Sequence, residues 1–243
     1  METGGGAPLT KSSEAVEGDF VEDRLRGNEA FRRGNYEAAA SYYSEALEKI
    51  RLAKTELPTQ DRYPWSLEEV LIRCNRALVF LRLASAAALP NVGSNRFEED
   101  ACTAEHESEE ATPCSLWQRA AEDASVALDL ITDFEDEGES ERVTELRVKA
   151  LYRRMVANKG QNNFADAAKD AEALAKIRPE YRSEAELLAQ RAAAESERAK
   201  QEALQKLKEV GNSFLSLFGV SIDNFQTKRN PDGTYSVSYC PKS

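Results

Sequence analysis

One histidine, His106, is all the imidazole in this 243-residue chain, and it lies in an acidic polar stretch. Histidine-based acid–base catalysis and histidine-rich metal sites therefore have little to build on. The four cysteines, Cys74, Cys102, Cys114 and Cys240, show no CxxC spacing, which argues against a structural zinc site and favours a reducing, cytoplasmic setting. Basic charge is in deficit, with 32 Lys and Arg against 43 Asp and Glu and a net charge of -11. A general nucleic-acid surface, which must neutralise phosphates, is not supplied. No stretch approaches the ~20 apolar residues of a membrane span, and the opening METGGGAPLTKSSEAVEGD has no long apolar core. A glycine-rich phosphate loop is also lacking. A soluble, non-enzymatic protein is expected, with no cofactor, no bound metal, no nucleic acid and no membrane insertion.

What is abundant points to helices. The chain is 31% charged, 41% hydrophobic and only 8% aromatic, with the Ala, Glu, Leu, Lys and Arg usage of an all-α domain around one sizeable core. Residues 1–18 combine Gly, Ser and Glu with few apolar groups and read as a disordered leader. From Val21 to Arg51, Gly27, Ala30, Phe31 and Gly34 precede Tyr36, Ala39, Tyr43, Ala46 and Leu47. Small residues permit close helix approach, aromatic ones fill the gaps, and Gly34-Asn35 marks a turn, so this segment predicts a helical hairpin. A second hairpin starts near Leu67 and resumes in WQRAAEDASVALDLI, where Ala120, Ala124 and Ala127 restore the small-residue face. A third runs from about Val143, with Tyr152 in its first helix, Phe164 opening its second and Pro179 after it. These units resemble tetratricopeptide repeats (TPRs), whose stacked hairpins recur about every 34 residues. The implied fold is all-α: three hairpins, over 19–182, forming a right-handed superhelical solenoid.

The second unit is split by an insertion, 84–116, whose seven acids (Glu98, Glu99, Asp100, Glu105, Glu107, Glu109, Glu110) stand against Arg96 alone. Two readings stay open: an insertion tolerated at a turn, or an electrostatic gate competing for a basic groove. Asp133 to Glu141 forms a shorter acidic spacer. Residues 183–210 predict a long capping helix, with Ser183 and Glu186 as a capping box and Leu187, Leu188 and Gln190 covering the last hairpin. Residues 211–243 change character. Tyr235, Val237 and Tyr239 alternate after the turn signal Pro231-Asp232-Gly233, predicting a short hairpin or extended tail, docked on the chain's own helices or added to a partner's sheet. Leu207, Lys208, Gly211, Asn212, then Phe218, Gly219, Ser221, Asp223, Asn224, Phe225, then Tyr235 and Ser236 resemble the ending of the family of proteins like tetratricopeptide repeat protein one.

Five residues carry the functional expectation. Arg24 and Asn28, and again Lys149 and Arg153, are spaced i, i+4, so each pair projects from one helical face. With Asn75 they supply cationic and amide donors suited to carboxylates. The set resembles the carboxylate clamp of chaperone-binding repeat domains, whose ligand is the Glu-Glu-Val-Asp terminus of the seventy- and ninety-kilodalton heat-shock chaperones. The resemblance implies a co-chaperone or adaptor, with Arg24, Asn28 and Asn75 on the terminal carboxylate and Lys149 and Arg153 on terminal and side-chain oxygens. Arg24 stands where that family usually has lysine. Arg82, seven residues past Asn75, is a further candidate for an upstream acid. The alternative is a scaffold for a non-chaperone assembly, its groove holding an internal helix or an unrelated peptide.

Overall fold

The computed structural model describes residues 13–56, 63–88, 112–132, 141–217, 220–231 and 233–240. The acidic residues 98–110 of the insertion and most of the spacer lie outside them. The chain divides into two compact units, Met1–Ala189 and Gln190–Ser243.

The described residues of the first unit form helices joined by turns. Helices α1 (Ser13–Arg32) and α2 (Tyr36–Glu56) form the first hairpin, α3 (Tyr63–Ala88) and α4 (Pro113–Thr132) the second, α5 (Glu141–Gly160) and α6 (Phe164–Ile177) the third. Each helix packs on the next, and α3 also packs on α5, the neighbour pattern of stacked repeats. Helix α1 begins at Ser13, so the end of the expected leader is helical. Likewise α3 runs to Ala88 and α4 starts at Pro113, so both borders of the expected insertion belong to helices.

The first and third hairpins close by the same chemistry. Gly34 (φ 77°) and Asn162 (φ 59°) hold the left-handed conformation, and the next residue in each case is an asparagine. The Asn35 and Asn163 N–H groups reach back to the Ala30 and Asn158 carbonyls at 3.0 and 2.8 Å, as in Schellman ends. Their side-chain oxygens then accept from the Ala38 and Asp166 N–H groups, capping the following helix.

Alanines on the second helix of each hairpin, Ala39 and Ala46, Ala120, Ala124 and Ala127, Ala167 and Ala171, are fully buried. They form the small-residue seam along which helices approach. Gly27 on α1 serves the same end. A Cβ there would meet two ring carbons of Tyr43 at 2.6 and 2.8 Å. Gly27→Ala is expected to force the buried ring aside and cost about 2 kcal/mol, the usual scale of overpacking. A urea midpoint equal to that of the parent would show that the ring has room.

The capping reading of the next helix is half right. Helix α7 (Arg182–Ser216) issues directly from a 3₁₀ turn, Pro179–Tyr181, whose proline supplies a preset φ. Ser183 therefore lies inside the first turn of α7 instead of capping it. Leu188 is fully buried against Leu151, Met155 and Leu174, but Leu187 and Gln190 are exposed. The helix also runs on to Ser216, past the expected end at Val210.

The second unit contains the rest of α7, a 3₁₀ turn (Ile222–Asn224) and the antiparallel strands β1 (Phe225–Arg229) and β2 (Tyr235–Tyr239). Phe225 pairs with Tyr239 and Arg229 with Tyr235, and the Phe225 and Tyr239 rings lie 5.4 Å apart. Asn212 ties the turn to the helix. Its Oδ1 accepts from the Ile222 N–H at 2.7 Å and the Ser221 hydroxyl at 3.0 Å, while Asn224 Oδ1 accepts from the Ser221 N–H. The motif asparagines of the sequence are thus turn-forming groups. The tail takes the hairpin form, and every strand residue is exposed.

Candidate functional site

Helices α1, α2 and α3 bring two of the expected residues, Asn28 and Asn75, together. Asn75 on α3 donates through Nδ2 to Asn28 Oδ1 on α1 at 3.3 Å, and the Tyr43 hydroxyl on α2 donates to the same oxygen at 2.7 Å. Asn28 thus spends its acceptor inside the protein and keeps its amide N–H donors for the cleft. This trio borders a cavity of about 250 Å³ lined by Asn28, Phe31, Arg32, Tyr43, Asn75 and Leu78.

Cationic groups surround Tyr43. Burial pushes its phenol up to about 12, against the opposing pull of Arg153, Arg24 and Arg32. It remains a neutral donor at physiological pH. Arg153, on α5, is half-buried. Burial pulls its pKa below the ordinary arginine value, partly offset by Cys74 and Tyr43. Its buried Nη1 has no hydrogen-bond partner among the described residues. Cys74, fully buried among Val70, Ala127 and Ile131, is a packing residue, as free cysteines commonly are. Burial raises its thiol pKa, while Arg153, through its charge and a side-chain hydrogen bond, and Lys149, through its charge, lower it. The Arg153 guanidinium thus has Cys74 as a partner even though its Nη1 has none.

The remaining candidates differ. Lys149 is exposed and acts here through its charge. Arg24 reaches Glu68 of α3, with Nε 3.4 Å from Oε2 but no hydrogen bond from that nitrogen. Glu68 is in turn 3.4 Å from Arg142. This acid between α1 and α5 was not foreseen, and any ligand carboxylate must share Arg24 with it. Arg82 is exposed, and neither it nor Arg24, Lys149 or Arg153 is among the residues that line the cavity. Phe31 and Tyr43, read from the sequence as packing residues, and Arg32 and Leu78 were not foreseen as site residues, although Phe31, Arg32 and Leu78 follow Asn28 and Asn75 by one helical turn.

A second set of arginines, next to the site residues in sequence, sets the helices themselves. Arg76 follows Asn75 and grips Asp123 of α4, with Nε and Nη2 at 2.8 and 2.7 Å, while its Nη1 donates to Ser44 of α2. Arg154 follows Arg153 and grips Asp170 of α6 in the same bidentate way. Such forks are directional, so each fixes the rotation of the helix that carries a site residue. Glu69 extends the first network. Burial pushes its carboxyl up, but hydrogen bonds from Lys54 and Arg73 outweigh this and hold it below the usual carboxylate range.

No protein-family model matches the chain. Among solved structures it is similar to the Arabidopsis OM64 TPR domain, at 18% identity and a TM-score of 0.39, with 74% of this chain and 94% of that one covered. The fold of the first unit, read from its own geometry, is all-α, with three helical hairpins stacked along a recurring seam of buried alanines. No described helix is long and apolar enough to cross a membrane, and no metal-binding cluster occurs among the described residues.

Proposed function

We propose that the first unit is a non-enzymatic adaptor or co-chaperone module that holds the acidic C-terminal peptide of a heat-shock chaperone in a carboxylate clamp. The observation that carries this reading is the buried Nη1 of Arg153, without a hydrogen-bond partner among the described residues. Its charge acts on Tyr43, which lines the cavity with Asn28 and Asn75, although Arg153 is not itself among the lining residues. A buried donor without a partner costs about 1–3 kcal/mol, and a ligand carboxylate recovers that cost. In this reading Arg24, Asn28 and Asn75 meet the terminal carboxylate, and Lys149 and Arg153 meet terminal and side-chain oxygens. Arg82 takes a more distant acid of an extended peptide. Protein partners, not small substrates, suit such a surface.

The test is calorimetry with peptides ending Glu-Glu-Val-Asp, free and amidated. Micromolar affinity, about -8 kcal/mol, is expected for the free form. Amidation removes the terminal charge and should weaken binding at least about tenfold, since charge-assisted bonds contribute about 1.5–3 kcal/mol. Equal affinity for both forms would remove the clamp and favour a scaffold that reads another feature of its partner.

A further inference from the structure

The second unit leaves apolar surface of a distinct pattern in the open. Leu204, Leu207, Val210, Phe214 and Leu217 are 63–78% exposed. At about 100° per residue they share one arc of α7, roughly 140° wide. Lys206 and Lys208 fall on its two borders, and Glu202 and Glu209 fall on the opposite side. The strands repeat this chemistry. Phe225, Tyr235, Val237 and Tyr239, all exposed, lie on one face of the two-stranded sheet by their register, with Lys228 and Arg229 at the end of β1. Over 203–229 four bases (Lys206, Lys208, Lys228, Arg229) meet two acids (Glu209, Asp223), inside a chain whose net charge is -11.

We propose that the Leu204–Leu217 face of α7 and the aromatic face of β1 and β2 adsorb on an anionic phospholipid surface. Lysines bordering an apolar arc, with acids opposite, let the apolar side chains sink to the acyl boundary while the ammonium groups meet headgroup phosphates. Tyrosines are at home in that layer. Positive charge near an anionic leaflet adds attraction that fades with salt. A second copy of the chain fits less well. Two such faces would set lysine borders against each other, with their glutamates turned away, whereas paired helices use complementary flanking charges. None of these residues belongs to the set proposed for the cleft on the first unit.

The experiment is sedimentation of the full chain with vesicles of phosphatidylcholine alone, or of phosphatidylcholine and phosphatidylserine in equal parts. Binding to the serine-containing vesicles is expected to be at least about tenfold stronger and to weaken as salt is added. Leu207→Glu and Phe214→Glu should each abolish it, and Lys206→Glu with Lys208→Glu should reduce it at least about tenfold, with helical circular dichroism retained. Arg153→Ala should leave it unchanged. Absence of binding to the serine-containing vesicles, or equal binding to both kinds, overturns the proposal. So does a lipid-free dimer lost on Leu207→Glu, which would assign the face to a second copy.

Discussion

Arg153→Ala is expected to weaken binding of a free-carboxylate acidic peptide at least about tenfold while leaving the protein as stable as before, or slightly more so. The two halves of this expectation share one cause. The Arg153 side chain is half-buried, with its Nη1 out of contact with solvent, so part of the cost of removing its charge from water is already met in the free protein. A partner lacking at Nη1 means that this cost is not fully returned until a carboxylate arrives. A ligand then gains a charge-assisted bond without further desolvation of the arginine, the logic of a preorganised site. Tenfold corresponds to about 1.4 kcal/mol, well within the worth of one such bond. Removing a buried, poorly compensated charge relieves the fold, whereas removing a structural strut weakens it. Calorimetry with the peptide and a urea melt on the same variant therefore separate a ligand-binding arginine from a packing one. Arg153→Lys should not restore full affinity, because a point charge does not reproduce the planar fork. Unchanged peptide titrations for Arg153→Ala would remove this residue from the clamp.

How much of this was legible in the sequence follows from the range of each interaction. The hairpins were legible because their signals are local: Gly34-Asn35 at the first turn, the alanine spacing in α4, and Phe164 after the third loop. The start of α1 at Ser13 was not. Its polar composition forbids a core but does not forbid a helix continued upstream from a buried one. Ser183 misled because the 3₁₀ turn at Pro179 already starts α7, leaving the serine nothing to cap. At the site, the i, i+4 pairs were legible as shared faces, but Tyr43 comes from α2, and spacing along one helix carries no information about the next. Glu68, seven residues before Asn75 on α3, shares that face and was overlooked. Arg82 shows the limit of the face argument. Seven residues return it to the side of α3 that bears Asn75, but about 10 Å further along the axis.

The largest stability loss is expected at a position that touches no ligand. Asp123 is only 4% exposed and accepts from Arg76 twice and from Arg73 once, at 2.7, 2.8 and 3.2 Å. Asp123→Ala would leave two half-buried guanidinium groups without this acceptor. Breaking one side of a buried ion pair typically costs about 3–5 kcal/mol. The lower end applies here, because Arg73 keeps Glu69 and Arg76 keeps Ser44. Urea unfolding should therefore give a loss of about 3 kcal/mol, and Asp123→Ala combined with Arg76→Met should recover part of it, since the pair is then replaced by apolar groups. The consequence reaches the cleft through rotation. With Arg76 released, the α3 turn that carries Asn75 is no longer locked to α4, and its donation to Asn28 loses its fixed geometry. Peptide affinity should fall by a smaller factor than in Arg153→Ala, measured where the variant is still folded. A midpoint for Asp123→Ala within error of the parent would mean that the arginines find water as readily as carboxylate, and that packing alone sets the helices.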